Sequence, residues 1–149
     1  MAILAFEGEK HVQEYVYDFS VDDGTAEAKT LSDKTGYEPI PVGAIITDIH
    51  MYVETAMTSA GSATIAVGNG DDADGYMAAT AMDTWAANAV HRNGELAGAL
   101  VWDDTNDHLL SVYVADADDG AFKLTIGTAA LTAGKLRFYV EYIMTKTNP

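Results

Sequence analysis

The sequence predicts an all-β fold, a jelly-roll or β-sandwich of about seven to eight antiparallel strands with an extended N-terminal arm. Three observations predict it. Apolar and polar residues alternate with period two over residues 45–54 and 135–144. Clusters of Asp, Gly and Asn punctuate the chain at short intervals. Ala, Thr, Asp and Gly are abundant where Lys, Arg and Glu would usually supply helix formers.

With 149 residues the chain has room for one sizeable core, so residues 1–14 are read as the arm and residues 15–149 as a single domain. Ile3, Leu4 and Phe6 fit no alternating pattern. They are candidate contacts with a second subunit or a larger assembly, the alternative being a frayed terminus. The start has no basic region ahead of its short apolar run, which predicts no signal peptide and synthesis in the cytoplasm. No run approaches the roughly 18 apolar residues of a membrane span.

In residues 15–21, Tyr15, Tyr17, Phe19 and Val21 share the face expected to be buried, with Asp18 and Ser20 opposite. Asp22, Asp23 and Gly24 supply a turn, because Asp bonds its own backbone and Gly accepts positive φ. Residues 26–31 read as a short returning strand. Pro39, Pro41 and Gly43 make residues 37–43 a loop, since each proline removes a ladder donor. Residues 45–54 give a strand with Ile45, Thr47, Ile49, Met51 and Val53 on one face. Asp48, His50, Tyr52 and Glu54 lie on the other.

Residues 63–68 are a short strand running into the acidic loop 69–75. Between 77 and 90 the alanines, with Met77, Ala81, Met82 and Trp85, fit a helical turn or an irregular crossover, although Thr80, Thr84 and Asn88 are weak helix formers. Strands return at 99–102, 109–115, 122–127 and 135–144, and Asn93 with Gly94 suits a tight hairpin connection. In the last strand Leu136, Phe138, Val140 and Tyr142 share one face. Lys135, Arg137 and Glu141 take the wetter one.

Eight basic against 23 acidic residues give a net charge of -15, which repels phosphate backbones and anionic lipid headgroups. Nucleic acid and membrane are therefore excluded as expected partners. The absence of cysteine removes disulfides and thiolate metal sites. Gly68-Asn-Gly-Asp-Asp-Ala73 mimics a dinucleotide fingerprint, but Asp71 and Asp72 would face the pyrophosphate at a cost of several kcal/mol each, at an effective dielectric of about 20.

Asp71, Asp72 and Asp74 are the candidate ligands for calcium, a hard cation that takes carboxylate and carbonyl oxygens. Their spacing fails the EF-hand pattern, which would put Gly70 and Ala81 at ligand positions. The similar loop from Asp116 to Gly120 fails in the same way, with Ala115 and Ala117 at ligand positions. Both loops read first as solvated turns, and no other cofactor is implied. His11, His50, His91 and His108 are scattered without metal-site pairing. No nucleophile elbow, zinc helix or cysteine nucleophile is present, so catalysis is not expected. Trp85, Trp102 and the tyrosines read as core or interface residues ahead of a sugar-binding face.

Three segments carry a family resemblance. They are Ile45-Ile-Thr-Asp-Ile-His-Met-Tyr-Val-Glu-Thr55, Ala63-Thr-Ile-Ala-Val-Gly-Asn-Gly-Asp-Asp-Ala-Asp-Gly-Tyr76 and Leu131-Thr-Ala-Gly-Lys-Leu-Arg-Phe-Tyr-Val-Glu-Tyr-Ile143. Together they resemble the small capsid decoration, or cement, proteins of tailed bacteriophages. That resemblance implies a compact jelly-roll or sandwich, often a homotrimer, on the outer surface of the virion capsid. There it would bridge neighbouring copies of the major capsid protein, and no catalytic residue is carried over. Two other classes stay open: another virion module, such as a head fibre or tail component, and a secreted calcium- or carbohydrate-binding β-sandwich.

Overall fold

The computed structural model describes residues 8–81, 85–92, 98–103, 105 and 108–145. Two antiparallel sheets pack face to face, the expected all-β sandwich. The larger contains β1 (Lys10–Asp18), β11 (Leu131–Met144), β3 (Ala44–Ser59) and, along the far edge of β3, both β6 (Val90–Arg92) and β9 (Val112–Tyr113). The smaller runs in the order β2 (Ala28–Thr30), β10 (Lys123–Gly127), β4 (Thr64–Gly68), β5 (Met77–Ala81). A separate ribbon pairs β7 (Trp102–Asp103) with β8 (His108–Leu109). The strand number exceeds the expected seven or eight because several pieces are only two or three residues long.

The core follows from alternation. Tyr15 and Tyr17 of β1, Leu136, Phe138 and Val140 of β11, and Ile49, Met51 and Val53 of β3 line the inner face of the large sheet. Ile65 and Val67 of β4, Leu124 and Ile126 of β10, and Met77 of β5 meet them. Phe122, at the entry to β10, joins the layers. Its ring stacks on Tyr15 at 4.6 Å, tilts against Phe138 at 5.1 Å and lies 6.0 Å from Tyr76. Its backbone is fixed as well, with Leu31 N–H donating to the Phe122 carbonyl and Phe122 N–H donating to Ser32 Oγ, a buried hydroxyl.

Several expectations are corrected. In β3 the buried face is Ala44, Ile46, Ile49, Met51 and Val53, and not Ile45 and Thr47. The pairing explains it: Glu141 faces Asp48 but Tyr142 faces Ile46, so Thr47 is an extra residue that reverses the alternation. A second bulge follows, where Leu136 faces Val53 and Lys135 faces Thr55, leaving Glu54 over. Residues 15–21 are not one strand either. The Asp18 carboxylate accepts from Ser20 N–H and turns the chain into α1 (Phe19–Asp22), so Val21 is 74% exposed.

Residues 77–81 form a strand, β5, in place of a helical turn or crossover, with Met77 opposite Val67 and Thr80 opposite Ile65. Burial of Met77 and a ladder on one side decide the matter, against alanine's helical preference. Of the expected strand at 99–102 only Trp102 is in a ladder; Val101 and Trp102 instead donate to the Gly98 carbonyl in a turn. The expected strand at 109–115 is divided between β8 and β9. Met82, Thr84, Asn93 and Gly94 lie outside the described residues.

The strand β1 begins at Lys10, within the segment read as an arm, and Gly8 N–H already bonds the Met144 carbonyl at 3.0 Å. Ile3, Leu4 and Phe6 lie outside the described residues. No helix among the described residues is long and apolar enough to cross a membrane.

Candidate functional site

Two surface regions concentrate the charged side chains. The first is the pole where the two Asp-rich loops meet. Gly70 N–H donates to the Asp118 carbonyl at 2.7 Å, and a side chain at position 70 would collide with Asp118, so only glycine allows this approach. Asn69 Oδ1 accepts from the N–H groups of Asp71 and Asp72 and closes the first loop. Asp116 does the same for Asp118 and Asp119 at the start of the short helix α2 (Ala117–Gly120), while Asp119 Oδ2 accepts from Ala115 N–H.

This pole brings ligand atoms of Asp71, Asp116 and Asp119 within 4.8 Å of one another. Of the candidate calcium ligands, Asp71 is thus in a cluster, but Asp72 and Asp74 are not; its companions come from the other loop. Desolvation, followed by the negative charges of Asp116, Asp118 and Asp119, pushes the Asp71 carboxyl above the ordinary range. Desolvation and Asp74 push Asp72 the same way. The resemblance of the two loops was visible in sequence, but their meeting was not.

The second region is the outer face of the large sheet. Lys10, Val12, Glu14 and Asp18 of β1 stand beside Lys135, Arg137, Tyr139 and Glu141 of β11. These in turn stand beside Glu54, Tyr52, His50 and Asp48 of β3, with Arg92 beyond. Arg137 donates Nε to Glu54 and Nη1 to Glu14, the latter at 3.1 Å. Glu54 is consequently held below the usual carboxylate range by Arg137, and Arg137 is held more firmly charged. Lys135 reaches Asp18 and Glu54, both at 3.5 Å, beside an open groove of about 350 Å³ whose lining includes Ala133 and Gly134.

At the other end of this face His50 lies between two carboxylates, Nε2 at 3.8 Å from Asp48 and Nδ1 at 3.9 Å from Glu141. These three also hold their ligand atoms within 4.8 Å. Arg92 neutralises Asp48 and Lys10 neutralises Glu141, so the cluster does not need a cation to balance it. Histidine spacing alone does not reveal this cluster; Asp48 and His50, two apart on one strand face, are its signal in the sequence.

Summed over the face, Asp18, Glu14, Glu54, Asp48 and Glu141 oppose Lys10, Lys135, Arg137 and Arg92. It therefore carries one unit of the chain's net charge of -15. Half of all Lys and Arg residues are spent there, and the rest of the surface is left strongly anionic.

No protein-family model matches the chain, and no curated protein matches it. Among solved structures it is similar to a chain of the Cyanophage Pam1 capsid asymmetric unit, with a TM-score of 0.62 and 22% identity over 93% of this chain and 87% of that one. A chain in the acidic stable capsid structure of Helicobacter pylori bacteriophage KHP30 aligns over 94% and 91% at 14% identity, with a TM-score of 0.48. The first likeness establishes a shared fold along nearly the whole of both chains.

Proposed function

We propose that this protein is a structural component of a phage virion and, more closely, a capsid decoration protein. It binds the outer surface of the assembled head and bridges neighbouring copies of the major capsid protein. One observation carries the reading: the fold is shared, nearly end to end, with a chain that stands in a phage capsid asymmetric unit. The sequence resemblance over residues 45–143 points the same way, by a different route.

The surface supports a binding role without chemistry. An acidic protein approaches another surface at least electrostatic cost through its most neutral face, and the outer face of the large sheet is such a region. A ligand that binds only the assembled lattice stabilises it by mass action. Self-association as a homotrimer belongs to this reading.

Purified protein should cosediment with expanded, undecorated capsids and raise the temperature at which they come apart. Protein that stays in the supernatant at saturating concentration, with capsid melting unchanged, would overturn the proposal.

A further inference from the structure

Among the described residues the large sheet ends at β1, and the outer edge of this strand is treated in two different ways along its length. From Glu14 to Asp18 the outward backbone groups are occupied. Gln13 Nε2 donates to the Glu14 carbonyl, Lys34 Nζ to the Val16 carbonyl at 2.7 Å, and the Asp22 carboxylate accepts from Asp18 N–H at 2.8 Å. Such side-chain plugs are how sheets keep foreign strands off an edge. They also fix the phase, because even-numbered residues turn their backbone outward and their side chains to the outer face.

The same phase makes Lys10 and Val12 outward-facing, and there the plugs stop. Among the described residues no side chain caps either backbone, Val12 is 58% exposed, and Lys10 is bound only through its ammonium to Glu141. Among the described residues the flanking Glu14 is plugged by one side chain, that of the adjacent Gln13, and by no packed element.

We propose that this stretch pairs with the same stretch of a second copy, antiparallel about a two-fold axis at Val12, which joins two five-stranded sheets into one. The side chains suit that register. With Val12 opposite its counterpart, Lys10 of each copy falls opposite Glu14 of the other, so one apolar pair is flanked by two opposite-charge pairs. Residues 10, 12 and 14 all turn their backbone to the edge, so all three pairs are of the hydrogen-bonded kind. Shifting the register by two residues either way sets Lys10 against Val12 or Val12 against Glu14. A self-complementary patch is what an isologous contact requires.

The contact sits at the border of the near-neutral face, where two strongly acidic molecules can meet with least repulsion. It does not rest on the capsid reading and differs from the ring contact of a trimer, so the two can coexist by linking one trimer to the next.

The test uses the chain's lack of cysteine. In the proposed register the two Val12 Cα atoms lie about 5.5 Å apart, inside the span of a disulfide. Val12→Cys should therefore form a covalent dimer under mild oxidation at least about tenfold faster than Val42→Cys, an equally exposed control away from the edge. Adding Lys10→Glu or Glu14→Lys to Val12→Cys should suppress the dimer, and mixing those two variants should restore it as a heterodimer.

Equal rates for the two cysteine variants, or no recovery on mixing, would overturn the proposal. So would a dimer that appears only after residues 1–7 are deleted, which would make the chain's own terminus the occupant of the edge. Melting curves like that of the unaltered protein exclude misfolding as the cause. Because no capsid is present, failure here leaves the decoration reading untouched.

Discussion

Replacing Phe122 by Ala should remove more stability than any other single truncation in the core. The ring is 1% exposed and is the common neighbour of Tyr15, Phe138 and Tyr76, which come from β1, β11 and the loop before β5. Large-to-small changes of a buried Phe cost about 3–5 kcal/mol, and three ring partners with a place between two sheets argue for the upper half of that range. A loss of about 4 kcal/mol is a large share of the 5–15 kcal/mol typical of a whole domain. It corresponds to a fall in Tm of roughly 10 °C at this chain length. Urea and thermal melts followed by circular dichroism measure it, and Phe122→Leu should recover about half. A loss below about 1.5 kcal/mol for Phe122→Ala would show that the sheets are not held together through this ring.

Four further outcomes follow from the described contacts. Ser32→Ala leaves the buried Phe122 N–H without its acceptor and should cost about 1–3 kcal/mol in the same melts, whereas Ser32→Thr keeps the hydroxyl and should cost less. Asp71 has a raised carboxyl pKa in the fold, so its charge destabilises at neutral pH and that penalty is relieved as pH falls through the raised value. Asp71→Asn should therefore raise Tm near pH 7 and make no difference near pH 3, with the gain shrinking in high salt. Asp23 is the opposite case, held down to about 2 by Thr25 and then Lys29. The stability it adds is present above 3.8 and disappears as pH falls through about 2, a window that a comparison with Asp23→Asn will trace. Calcium at millimolar concentration should leave Tm unchanged, since Asp116 and Asp119 already accept backbone N–H groups; a site with a Kd near 10 μM would instead add about 2.7 kcal/mol.

Period-two alternation made the spine of this fold legible. In β11 the choice of Leu136, Phe138 and Val140 as core needed nothing beyond the sequence, because that face stays in phase along its middle. In β3 the same rule failed at Thr47, since a bulge depends on what the neighbouring strand does and leaves no mark in the residues themselves. The β5 segment failed for another reason. Alanine carries a helical preference, yet a five-residue strand on a sheet edge is decided by the ladder it joins.

The charged surfaces were legible as lists of residues and illegible as places. Nothing in Asp71 indicates that Asp116 lies beside it, and that nearness depends on a glycine, Gly70, admitting one loop to the other. Equally, the pairing of acids with bases across the outer face needs the register of three strands before it can be seen.

The bond from Gly8 to Met144 has a mechanical consequence. It places the entry to the first strand and the exit from the last side by side, at one end of an antiparallel pair. Gly8 and Thr145 therefore lie near one another, and a load pulling these two residues apart would peel β1 from β11 one bond at a time. A load along the paired β3 and β11 would instead be borne by their whole ladder in shear. The sandwich is weak as a link pulled through Gly8 and Thr145 and strong as a brace gripped along the length of β3 and β11.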